Sequence, residues 1–166
     1  MKRTLIAALL ALLLLCPCLA AGETANYAAT QAFIDALSER DIACRLHGLD
    51  STGTETVTVQ VADGNTGVSY TVRLTFDASG DVVILTVPEL ITYGEMHRDA
   101  VIRACNTLNC SFMYTRFIAD EARSAVDVSL TLLLGGQDTG DVMLEAFDRL
   151  VSILSEAYFT LAVYGG

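Results

Sequence analysis

The chain has 166 residues, 52% of them hydrophobic, and 20 acidic side chains against 10 basic ones give a formal net charge of −10. Such a surface repels phosphate backbones and anionic lipid, which excludes nucleic-acid binding through a basic patch. The acidity either keeps the chain soluble or attracts a basic partner.

The N-terminus reads as an export signal. Lys2 and Arg3 precede the apolar run Leu5 to Leu15, and Cys18-Leu19-Ala20 and Ala20-Ala21-Gly22 put small residues at the −3 and −1 positions of a cleavage site. Residues 1–22 are expected to leave after Ala20 or Gly22, giving an extracytoplasmic protein, periplasmic or secreted. The apolar core is short for a membrane span, which takes about 20 residues. An uncleaved anchor and lipidation at Cys16 or Cys18 are the alternatives. Against lipidation, Leu15 and Pro17 stand where a lipobox wants a small residue. Residues 23–166 keep eight arginines and all twenty carboxylates, a formal charge of −12. No linker, repeat or charge block divides them, so one domain of common size is expected.

The first helix is expected from Ala25 to Glu39, because Tyr27, Phe33, Ile34 and Leu37 recur at helical spacings. A connector, Asp41 to Leu49, holds a weak extended piece in which Ile42, Cys44 and Leu46 alternate. Three strands follow. Val57, Val59 and Val61 alternate with Thr56, Thr58 and Gln60; Val68, Tyr70, Val72, Leu74 and Phe76 alternate with Ser69, Thr71, Arg73 and Thr75. The third strand, Asp81 to Val87, ends before Pro88; its Val82 to Leu85 are apolar on both sides and predict a central place. Asp63-Gly64-Asn65 and Asp77 to Gly80 have the chemistry of tight antiparallel turns. Alternation of this kind excludes a parallel sheet buried on both faces. Helices must cover one face, and the other, rich in Thr and Ser, is solvated or reserved for a partner.

The second helix is expected from Glu95 to Leu108, with Val101, Ala104, Cys105 and Leu108 on its buried stripe. Asn106 and Asn109 are read as a structural corner that ends it, since Asn tolerates left-handed backbone and satisfies free main-chain groups. A hairpin then pairs Ser111–Ile118 with Arg123–Leu133 across Ala119 to Ala122, and Cys110 leads into it. Gly135 and Gly136 release the chain into a last helix capped by Asp138 or Thr139. Its core stripe is Met143, Phe147, Leu150, Leu154 and Leu161. Val151, Tyr158 and Phe159 widen that stripe and mark a possible partner surface. The fold class is therefore α+β, two layers in the order α-β-β-β-α-β-β-α, with an antiparallel sheet of about five strands and helices on one face.

Chemistry-bearing residues are few. Cys44, Cys105 and Cys110 are an odd set for an exported chain, and at least one stays unpaired. Bridges Cys105–Cys110 and Cys44–Cys105 are both conceivable beside the reading of small buried thiols. The two histidines, His47 and His97, have no metal-ligand spacing. Asp120, Glu121 and Asp127 are the nearest carboxylate candidates, and Ser111 with His97 lacks a nucleophile elbow. No cofactor motif occurs.

The run Asn106-Thr-Leu-Asn109, the aromatic strand Phe112-Met-Tyr-Thr-Arg-Phe117, the alternating Val126 to Leu132, the Gly-Gly loop and the helix from Val142 resemble the YbjN-type family of bacterial sensory transduction regulators. The resemblance covers about residues 30–161 and implies a fold like that of type III secretion chaperones. It implies a small module that binds a protein or peptide, often as a dimer; separately, the residues themselves offer no catalytic constellation. The export signal, the scarcity of lysine and the three cysteines depart from that pattern. A small extracytoplasmic hydrolase or redox enzyme is the alternative, and it would need a nucleophile with a base or paired carboxylates in one pocket.

Overall fold

A computed structural model describes residues 24–135 and 139–165. The expected export signal, Gly136 and Asp138 lie outside the described residues. Helix α1 (Ala28–Glu39) precedes strands β1 (Cys44–His47), β2 (Glu55–Asp63), β3 (Val68–Phe76) and β4 (Val82–Thr92). A 3-10 turn (Glu95–His97) leads into α2 (Arg98–Ser111), then β5 (Thr115–Asp120), β6 (Ala125–Leu133), α3 (Thr139–Leu161) and a closing 3-10 turn (Ala162–Tyr164). The α+β class agrees with the sequence pattern, and the element order does so with one strand added after the first helix. The sheet, antiparallel throughout, has six strands in the order β1-β2-β3-β4-β6-β5. The sixth strand is the weak extended piece: Cys44 to His47 pair with Thr56 to Val59 and turn a five-stranded expectation into six.

Alternation sorts the side chains as expected. Val57, Val72, Leu74, Leu85, Val87 and Val128 are fully buried beneath the helices. On the opposite face Gln60 Nε2 donates to Thr71 Oγ1 at 2.7 Å, and Thr58 Oγ1 meets His47 Nε2 at 3.1 Å. β4 is central, and its Ile84 is 39% exposed on that polar face because the strand is apolar on both sides. The three helices present Phe33, Leu37, Val101, Leu108, Leu150 and Leu154 to the core. Helices α1 and α3 touch closely at Gly140, where a Cβ would lie 2.7 Å from the Ala32 carbonyl oxygen, so only glycine fits without a shift of backbone.

Several boundaries differ from the sequence reading, each for a local reason. Helix α1 starts at Ala28 because Asn26 and Tyr27 are held outside it by the Glu55 side chain. Helix α2 runs to Ser111, so Asn106 stands inside it and Cys110 is helical rather than the start of a strand. The hairpin turn shifts to Glu121–Ser124, where Ser124 takes a positive φ of 50°.

The largest difference is in β4, which continues through Pro88 to Thr92. Asp77 N–H donates to the Val82 carbonyl and Leu134 N–H to the Asp81 carbonyl, which fixes the alternation of the ladder. Even-numbered residues of β4 therefore aim their main-chain groups at β3, and odd-numbered ones aim at β6. Pro88 falls on the β3 side, where it has no N–H to give. Pairing of β3 with β4 accordingly stops at Arg73↔Thr86. A bulge follows between Val87 and Ile91, with Glu89 at φ 53° and its N–H donated to Asp127 Oδ1 at 3.0 Å. The sheet is thus continuous at one end and split between β3 and β4 at the other.

Candidate functional site

The split end of the sheet lies beside the last turns of α3. There Leu90, Ile91 and Thr92 of β4 face Tyr158, Ala162 and Gly165 across a cleft of about 240 Å³. Gly165 is extended and forms a bridge with Tyr93, so the chain's final described residue lies on the β3 side of β4. Tyr158 is half-buried in this wall; its ring centroid stands 6.4 Å from that of Phe159. Phe159 is 60% exposed and Val163 71%. The His97 ring sits 6.1 Å from Tyr164, which carries Met96, 94% exposed, to the same end of the molecule. Val151, two turns earlier, is half-buried against the core. Of the three residues read as a partner surface, Phe159 is exposed, Tyr158 lines the cleft, and Val151 belongs mainly to packing.

The two asparagines separate. Asn109 reaches from α2 to β5: its Nδ2 donates to the Phe117 carbonyl at 3.0 Å, and Phe117 N–H donates to its Oδ1 at 2.7 Å. Asn106 is exposed within the helix and makes no side-chain hydrogen bond among the described residues. A helix running to Ser111 removes it from any corner.

Of the catalytic candidates only Asp120 and Asp127 come together, and they do so on a guanidinium that neutralises them. Asp120 and Asp127 both pair with the Arg123 guanidinium, and Glu121 pairs with Arg98. Hydrogen bonds from Arg123 hold the Asp120 carboxyl below the usual carboxylate range. Ser111 Oγ donates to the Thr107 carbonyl at 3.1 Å, at the far end of α2 from His97. Fourteen residues of helix put them about 20 Å apart, too far for a nucleophile and its base. Cys44, Cys105 and Cys110 are all free thiols, respectively half-buried, buried and exposed. Burial pushes the Cys105 thiol up to about 11 and raises that of Cys44, so neither is an activated nucleophile. Among the described residues no three His, Cys, Asp or Glu side chains group closely enough to hold a metal ion.

Sequence reasoning missed Glu55, which the strand pattern beginning at Thr56 leaves out. It is fully buried and accepts from Asn26 N–H and Asn26 Nδ2, both at 2.9 Å, and from Tyr27 N–H at 3.3 Å. Its only signal in the sequence is a charge at an inward-facing strand position, in phase with Val57 and Val59.

No protein-family model and no curated protein matches the sequence. Among solved structures the chain is similar to one from the ExsC-ExsE complex, with 15% identity, a TM-score of 0.45, and coverage of 81% of this chain and 92% of that one. It is also similar to one from the heterodimeric complex ExoU-SpcU from the type III secretion system of Pseudomonas aeruginosa, at 19% identity and a TM-score of 0.47, covering 79% of this chain and 95% of that one.

Proposed function

We propose that the chain is an exported module that binds a protein or peptide and performs no chemistry of its own. The observation that carries this reading is the apolar end of α3, where Phe159 and Val163 stand 60% and 71% exposed beside the cleft that Tyr158 lines. Large apolar side chains gathered at one end of a domain mark a contact surface more often than scattered ones do. The YbjN-type resemblance, with its chaperone-like fold, agrees with this role, and a homodimer through the same end is one form it takes. Export rests on the charged, apolar and small-residue sequence of residues 1–22.

Phe159→Glu tests the surface. A carboxylate placed there would be desolvated on contact, so the variant should lose its partner or its self-association at least tenfold while keeping its circular dichroism spectrum. Sedimentation of the mature chain and pulldown from its own envelope fraction, wild type beside variant, read the result. Unchanged association and capture would remove α3 from the binding role. Export is checked separately by N-terminal sequencing of the exported form, which should begin near Ala21 or Glu23; an intact Met1 terminus in the membrane fraction would establish an anchor instead.

A further inference from the structure

We propose that the open face of the sheet receives an acidic, partly apolar segment of another protein, held by a row of three arginines that crosses all six strands. This surface lies on the side of the sheet away from the helices and does not depend on the reading of the α3 end. The register sets Arg45, Thr58, Arg73, Thr86, Ser129 and Arg116 opposite one another in turn, on β1, β2, β3, β4, β6 and β5. All three arginines are exposed, and none forms an ion pair among the described residues. Only hydroxyl side chains stand between them. At about 4.8 Å per strand, Arg73 lies about 10 Å from Arg45 and about 14 Å from Arg116. Three of the eight arginines beyond residue 22 thus share one line on a chain with a net charge of −10.

The carboxylates around this face stand off the row, toward the two ends of the strands. At one end Glu89, Asp120 and Asp127 gather round Arg123. Asp127 is the nearest to the row, two residues along β6 from Ser129, and its second oxygen accepts from Glu89 N–H. At the other end Asp50 and Asp77 accept from the hydroxyls of their own turns, those of Thr52, Thr54 and Ser79. Asp41 and Asp81 stand in the connections before β1 and β4. The face is therefore basic across its middle and acidic at both ends, and this selects the occupant. A nucleic-acid duplex, with a charge about every 1.7 Å of its axis, would run its phosphates against both ends. A polypeptide carrying a few separated carboxylates would not, and the guanidinium fork matches a carboxylate. Ile84 lies one row from Arg73 and Leu133 one row beyond that, 39% and 76% exposed. They offer contact to apolar side chains, which a phosphate polymer lacks. About seven extended residues span the row from Arg45 to Arg116.

A random dodecapeptide library displayed on phage and selected on the mature chain tests the proposal. Enriched sequences should carry two or more Asp or Glu, spaced apart, with apolar residues among them. Their synthetic forms, measured by calorimetry, should bind about threefold more weakly to each of Arg45→Gln, Arg73→Gln and Arg116→Gln, and about tenfold or more weakly to the triple variant. Replacing the peptide carboxylates with amides should have the same effect on wild type, and affinity should fall as salt rises. The triple variant should keep the wild-type urea midpoint, because the three side chains are exposed and form no ion pair within the domain. No enrichment, enrichment without an acidic bias, or equal affinity for wild type and the triple variant would overturn the proposal. So would loss of peptide binding on Phe159→Glu alone, which would put the peptide on α3. An eight-nucleotide oligothymidylate that binds wild type more tightly than the peptides, and is lost on the triple variant, would assign the row to a phosphate polymer instead. Self-association of the free chain lost on the triple variant would assign it to the carboxylates of a second copy and likewise overturn the proposal.

Discussion

Replacing Glu55 with glutamine should lower the stability of the domain by about 3 kcal/mol at neutral pH, the scale of losing charge-assisted hydrogen bonds in a buried site. Glu55 comes from β2 and closes the N-terminus of α1, which has no side-chain cap of its own and no acidic residue in its first turn. Oε1 accepts both Asn26 donors and Oε2 accepts Tyr27 N–H. An amide satisfies Asn26 with its oxygen and then turns an NH₂ toward the Tyr27 N–H, donor against donor. The charge also faces the positive end of the helix dipole. Desolvation raises the Glu55 pKa, yet the bonds from Asn26 and Tyr27 outweigh it and leave the folded value lowered. A lowered folded value means the contribution is present above the ordinary glutamate pKa and is lost as pH falls through the folded one. The stability gap between wild type and Glu55→Gln should therefore be full at pH 7 and shrink steadily below about pH 4. Urea unfolding at a series of pH values measures it. A gap that stays constant down to pH 3 would show that shape rather than charge makes the site.

The parts of this fold that were legible in the sequence are those governed by periodicity. Val57 to Val61 and Val68 to Phe76 alternate so regularly that their buried face follows from the pleat alone, and the buried stripe of α2 follows from helical spacing. Legibility failed where a side chain from one element finishes another. Glu55 sets the start of α1 from 27 residues or more along the chain, and nothing in residues 25–28 announces it. Pro88 misled for a related reason. Proline breaks the ladder only with the one neighbour its N–H would face; at Pro88 that neighbour is β3, whose pairing ends there, while β4 goes on against β6. The sequence shows a proline; only the ladder shows which neighbour it fails to bond. The candidate site was legible to the extent that Tyr158 and Phe159 exceed a single helical stripe. The cleft needed the far ends of β4 and the chain brought together, which no local pattern encodes.

Asn109→Ala should cost about 1 to 3 kcal/mol and promote association, whereas Asn106→Ala should change stability by no more than about 0.5 kcal/mol. β5 is an edge strand, with β6 as its sheet neighbour on one side. Phe117 N–H and C=O point away from β6, and the Asn109 amide takes both, one as acceptor and one as donor. The side chain thereby stands where the backbone of another strand would, and an edge that invites pairing is closed at its middle. Alanine leaves both main-chain groups of Phe117 open. The free-energy loss and the gain in self-association thus have one cause, and they should appear together in urea titrations and sedimentation velocity. Aspartate separates the two bonds: it still accepts from Phe117 N–H but sets a carboxylate oxygen against the Phe117 carbonyl, so its cost should equal or exceed that of alanine at neutral pH and fall as the acid is protonated. Exposed and unbonded on the same helix, Asn106 controls for the loss of an amide at a helical position. Equal effects at the two positions would mean that helix propensity, and not the closing of the β5 edge, is what the asparagines contribute.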